Sequence, residues 1–154
     1  YTQPFRLIYK IHWTTSGYDS YVELGFATSK VGQSYSDNNH YIIFESQNIR
    51  YNGGITVITH NPVNGGVNSN FYNLNTDRYV VITYDGTYNY VEFYNQDYTL
   101  LFTTKFTFYN HSWTNGENAL YMYLNKNGGK VYGIYASNDT NITAEDAFGP
   151  GSSY

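Results

Sequence analysis

Cysteine is missing from all 154 residues, and with it go disulfides and thiolate metal sites. Packing and ladder hydrogen bonds must hold this chain. Charge is scarce as well: Asp, Glu, Lys and Arg make up 13% of the sequence and the formal net charge is −4. No basic stripe is available to neutralise phosphates, which argues against nucleic acid as a partner. No apolar run approaches the ~20 residues a bilayer-spanning helix needs, and the amino terminus lacks a charged region followed by an apolar one. Membrane insertion is not expected.

What the chain has instead is tyrosine. Twenty tyrosines and nine phenylalanines supply the bulk that aliphatic residues give elsewhere. Tyrosine suits a pleated, half-buried surface and keeps its hydroxyl for water or a ligand, so this composition favours antiparallel sheets with one wet face. Twenty such rings cannot all be buried, and the surplus points to a recognition surface. The polar remainder is mostly Asn, Thr, Ser and Gly, a surface suited to hydroxyl-rich neutral partners such as glycans. Asn110, Asn138 and Asn141 open N-glycosylation sequons, compatible with a secreted protein, although a chain this rich in Asn and Thr produces such triplets by chance.

Strand signals recur every ten to fifteen residues between Gly, Asn, Asp and Ser clusters, and helical periodicity is nearly absent. Residues Phe5 to Trp13 alternate Phe5, Leu7, Tyr9, Ile11 and Trp13 against Arg6, Ile8, Lys10 and His12, predicting a half-buried strand with Trp13 in the core. Further strands are expected over Tyr21 to Ala27, Tyr41 to Glu45 and Ile55 to Thr59. Val80 to Tyr84 and Tyr88 to Phe93 flank Asp85-Gly86, read as a two-residue type I′ hairpin loop. A turn at Asn95-Gln96-Asp97 extends it to Thr99 to Phe108, giving a three-strand meander. Leu120 to Leu124 and Val131 to Ala136 read as another hairpin. One short helix is expected after Thr143, with Glu145 and Asp146 in its first turn and Gly149-Pro150 as its stop. The expected organisation is one β domain over residues 1–148 and a loose tail over 149–154, the whole resembling an excised soluble module.

The stretch from Asp77 through Tyr84-Asp85-Gly86-Thr87 to Tyr94-Asn95, with Gly129 to Tyr135 and Ile142 to Asp146, resembles the laminin-G-like and pentraxin-like domains of the concanavalin A-like jelly-roll class. The chain also resembles galectin-like domains, including the receptor-binding head of rotavirus spike proteins. The galectin sugar motif itself is not present: His60-Asn61-Pro62 lacks the intervening residue and the arginine, and Glu117 follows Trp113 one residue too late. These resemblances imply an all-β, antiparallel β-sandwich of jelly-roll type with one short C-terminal helix. The alternative is a single, strongly twisted antiparallel sheet wrapped around that helix.

Chemistry is thinly signalled. Glycoside hydrolysis needs two facing carboxylates, and Glu23, Glu45 and Glu92 stand isolated in strand signals. The four histidines, His12, His40, His60 and His111, show no zinc spacing. Asp37-Asn38-Asn39 and Asn138-Asp139 offer calcium-type oxygens, with ordinary Asx turns the simpler explanation. No catalytic residue, metal or cofactor is therefore assigned. Sugar binding asks for an aromatic face beside flat polar groups. The candidates are Arg50 and Tyr51 with His60 and Asn61, which could meet on one sheet face, then Tyr88 and Tyr90 sharing a face with Glu92, and Trp113 in a polar loop. The expectation is a non-enzymatic glycan-binding domain at the cell exterior or virion surface, a viral attachment head made multivalent by a larger parent chain. A protein-interaction module and an accessory domain of a secreted bacterial enzyme or adhesin are the alternatives.

Overall fold

The computed structural model describes residues 4–14, 21–27, 39–45, 49–52, 55–62, 75–108, 119–124 and 129–150. The class is all-β, with one short helix among the described residues. Six strands, β1 (Phe5–Trp13), β5 (Ile55–Pro62), β6 (Arg78–Tyr84), β7 (Asn89–Tyr94), β8 (Leu100–Phe108) and β10 (Gly129–Ser137), form an antiparallel sheet in the order β10-β1-β6-β7-β8-β5. The other four, β2 (Tyr21–Ala27), β3 (Asn39–Glu45), β4 (Ile49–Asn52) and β9 (Ala119–Leu124), form a second in the order β4-β3-β2-β9. Helix α1 (Ala144–Phe148) follows β10.

The period-two pattern of β1 sends Leu7, Tyr9, Ile11 and Trp13 into a buried cluster with Val80, Ile82, Val91, Phe93, Phe102 and Phe106. Val22 of β2 belongs to the same cluster. Each such aromatic or aliphatic side chain contributes about 1.5–3 kcal/mol by leaving water. The opposite face of β1 is not simply wet, as the alternation suggested: Ile8 is fully buried and Lys10 nearly so. Ile8 lies with Tyr79, Val81 and Ala144 under Ile142, Ala147 and Phe148, so α1 covers part of that face. Lys10 is covered because Asp77 stands 3.4 Å from its ammonium. A helix of five residues is too short to persist alone. Thr143 caps it and accepts from the Asp146 N–H, while the Asp146 carboxylate accepts the Thr143 N–H in return, a complete capping box. Gly149, at φ 83°, ends it, and the Tyr98 hydroxyl donates to the Gly149 carbonyl.

Three local expectations need correction. The β6–β7 turn is centred on Gly86-Thr87, one residue later than Asp85-Gly86. The Asp85 N–H donates to the Tyr88 carbonyl, and the Asp85 carboxylate accepts from the N–H groups of both Thr87 and Tyr88. Asp85 thus acts as a side-chain acceptor at an ordinary φ, and only Gly86, at 103°, takes the left-handed conformation there. Second, β9 and β10 are not a hairpin: β9 pairs with β2 and β10 with β1, in different sheets. A Gly-rich connection suits a tight turn or a change of sheet equally, and β1 offers β10 an eight-pair ladder. Third, Ile49–Asn52 is a strand of its own, paired with β3. The meander β6-β7-β8, buried Trp13 and the capped helix agree with the sequence reading.

Candidate functional site

On the face of the six-stranded sheet that carries α1, the helix packs on β1 and β6 and, among the described residues, leaves the β7–β8 half uncovered. Strand registers set one row of residues across that half. Arg6 pairs with Thr83, Thr83 with Tyr90 and Tyr90 with Lys105. In the next row Val81 pairs with Glu92 and Glu92 with Thr103. Between them lies a cleft of about 340 Å³ lined by Arg6, Thr83, Tyr90, Glu92, Thr103 and Lys105. That volume is at the small end of the 300–1,000 Å³ typical of ligand pockets.

The polar groups are held in place. Arg6, in the cleft wall, uses Nε to donate to Thr83 Oγ1 at 2.9 Å and Nη1 to donate to the Ile142 carbonyl at 2.8 Å. Tyr94 donates its hydroxyl to Glu92 Oε2 at 2.6 Å and leaves Oε1 free of that bond. Lys105 sits with its ammonium 3.9 Å from the Tyr88 ring centroid and 5.3 Å from that of Tyr90, a cation-π arrangement. Asp85, at the tip of the hairpin, is held below the usual carboxylate range chiefly by the Tyr88 N–H, with Lys105 a lesser cause. The cleft thus combines an aromatic flank, two cations, one carboxylate and threonine hydroxyls on a rigid sheet.

The sequence-derived candidates fare unevenly. Tyr88 and Tyr90 both stand at this cleft, Tyr90 in its wall and Tyr88 beneath Lys105. Arg50 and Tyr51 belong to β4 at the edge of the four-stranded sheet, whereas His60 and Asn61 belong to β5 at the edge of the six-stranded one. The structure therefore puts them in different sheets and not on one sheet face. Asn61 pairs with Thr103 and His60 with Thr104, which brings β5 alongside the cleft strands. Trp113 lies outside the described residues. Arg6, Thr83, Thr103 and Lys105 were not singled out from the sequence. The polar side of the β1 alternation already contained Arg6, but only the pairing registers align it with Lys105, ninety-nine positions later.

A second polar cluster lies toward the opposite end of β1. Asp77, largely buried, stands 3.2 Å from His12 Nδ1, and the Tyr132 hydroxyl meets His12 Nε2 with the two rings 4.2 Å apart. The register of β10 slips past Tyr132, a β-bulge that turns this ring onto His12. Its contacts tie β10, β1 and the approach to β6 together. Among the described residues no group of three or more His, Asp or Glu is placed to hold a metal ion, and no described helix is long and apolar enough to cross a membrane.

These features define an all-β protein with a polar, aromatic-flanked cleft on one sheet. No family model matches the chain, and neither does any curated protein or solved structure.

Proposed function

We propose that this chain is a non-enzymatic glycan-binding domain, and that its two sheets stack as a jelly-roll sandwich. The stacking reading is supported by Val22 of β2 sharing a buried cluster with β1, β6, β7 and β8, and by the passage of the chain from one sheet to the other between β9 and β10. The binding reading rests on one observation: the open half of the outer sheet face holds Tyr90 beside Arg6, Glu92, Thr103 and Lys105 around a cleft sized for a small ligand. A sugar ring presents an apolar side to an aromatic ring and hydroxyls to charged or amide groups, and this wall offers both. Binding is preferred to hydrolysis because Glu92 is the single carboxylate in the lining and already accepts a hydrogen bond from Tyr94, whereas acid–base cleavage uses two.

In this reading one cleft binds weakly and repetition of the domain supplies avidity, as on an attachment protein displayed in many copies on a virion or cell surface. A glycan array probed with the folded domain on a multivalent carrier tests it: signal on a defined set of sugars supports the proposal. Silence across the array, with the fold verified by circular dichroism, refutes it. A protein-interaction role has one observation in its favour, the exposed Tyr132, Ile134 and Tyr135 on edge strand β10. Capture of deglycosylated partners as efficiently as glycosylated ones would favour that role.

A further inference from the structure

The polar cluster at the other end of β1 from Arg6 holds three side chains in series. Asp77, ion-paired with Lys10 at 3.4 Å, is a carboxylate and accepts only, so His12 Nδ1, 3.2 Å from its other oxygen, carries the proton of that bond. In the neutral ring Nε2 then bears a lone pair, and the Tyr132 hydroxyl, 2.5 Å from it, is the donor. Exposure falls along the series. Tyr132 is 51% exposed, whereas the side chains of His12 and Asp77 are 14% and 7% exposed, so the phenol meets solvent and its partners are sheltered behind it. The other charged neighbour is Lys130, opposite His12 in the β1–β10 ladder. A hydroxyl, a base within hydrogen-bond reach and a third group that orients the base form the arrangement that activates a weak nucleophile. The glycan-binding reading uses none of these residues.

We infer that Tyr132 is a nucleophilic phenol, an acceptor for acyl groups carried by activated esters and acyl-imidazoles. Its Oη attacks the acyl carbonyl carbon while its proton passes to His12 Nε2; the new C–O bond forms and the bond from that carbon to the leaving group breaks. His12 then returns the proton to the departing oxygen or nitrogen. The products are an O-acyl tyrosine and a neutral leaving group, and the protein is modified once. Asp77 is a positioning residue: it holds the imidazole with Nε2 toward the phenol and balances the transient imidazolium. The β-bulge in β10 brings the Tyr132 ring to His12, so the reactivity belongs to this tyrosine and not to its neighbours. Tyr135, on the same strand and 40% exposed, is the internal reference.

The probe is N-acetylimidazole, with peptide mass spectrometry following acetylation of Tyr132 and Tyr135 in the same folded sample. Hydroxylamine, which cleaves O-acetyl tyrosine and spares N-acetyl lysine, separates the phenol from Lys130. Tyr132 is expected to react about a hundredfold faster than Tyr135, the low end of what a positioned general base contributes. His12→Gln is expected to remove that excess and leave the Tyr135 rate unchanged. Asp77→Asn should lower the excess and Asp77→Glu restore part of it, a rescue confined to Tyr132 that a purely structural role would not produce. Near-ultraviolet circular dichroism verifies each fold, and should His12→Gln unfold, the Asp77 pair decides in its place. A Tyr132 rate no higher than that of Tyr135, or an excess that survives these substitutions in folded protein, overturns the inference. The glycan array has no bearing on it.

Discussion

Substituting alanine for Gly133 probes how α1 is held on the sheet. Gly133 lies opposite Lys10 in the β1–β10 ladder, and a Cβ built on it would stand 2.6 Å from Phe148 Cε1 and 3.4 Å from Cζ. The first distance is too short for two carbons, so the ring must move. Phe148 also packs against Tyr79, with centroids 5.6 Å apart, and it belongs to the apolar layer that fastens a five-residue helix over Ile8 and Val81. Overpacking of this kind costs about 1–3 kcal/mol. Removing a glycine from the unfolded chain recovers roughly 0.4–1 kcal/mol, because Gly133 is not in the left-handed region and alanine fits its backbone. The net expectation for Gly133→Ala is a loss of about 1–2 kcal/mol. For a domain of this size that is a fall in Tm of roughly 2–8 °C. Phe148→Leu should relieve the clash, so the double variant is expected to be more stable than the sum of the single effects by about 1 kcal/mol. Thermal and urea unfolding of the four proteins measure this. A Gly133→Ala protein that melts at or above the parental temperature, with no coupling in the cycle, would refute the assigned packing.

Three further expectations follow from the same structure. Among the described residues the buried Tyr9 hydroxyl finds no hydrogen-bond partner, so Tyr9→Phe should stabilise the fold by about 1 kcal/mol in urea titrations, and a comparable loss would show that the hydroxyl is satisfied. Thr143→Ala removes the helix cap and should cost about 1 kcal/mol. Faster hydrogen exchange at the Ala147 and Gly149 amides, which donate to Thr143 and Glu145, reports it. Burial keeps the Tyr9 phenol protonated well above its ordinary range, and burial followed by the Glu92 hydrogen bond does the same for Tyr94. The unfolded chain therefore ionises first, from about pH 10, so stability is full below that and falls as pH rises. Urea midpoints flat from neutral to strongly alkaline pH would contradict this.

The relation of sequence to site is clearest at the hairpin and at the cleft. Tyr88, Tyr90 and Glu92 could be placed together because a strand repeats every two residues, and the structure keeps Tyr90 and Glu92 on one wall. Arg6 and Lys105 could not be joined to them. Their meeting depends on β1 pairing with β6 and β7 with β8 in particular registers, and a slip of one residue would send either side chain to the other face. The error at Asp85-Gly86 has a local cause: a carboxylate that accepts two backbone N–H groups shifts the turn by one residue, a choice the dipeptide alone does not reveal.

Composition and alternation by themselves determined that this chain is built of strands, that Trp13 and the ring-bearing side of β1 are interior, and that a capped helical turn follows Thr143. These are decided by forces acting over a few residues: side-chain period, turn chemistry and capping. Tertiary structure alone decided which strands share a sheet, that β9 and β10 part company, and that the helix covers the β1–β6 part of a sheet face. Those outcomes turn on which apolar surfaces find one another across the chain, and no local pattern encodes the partner.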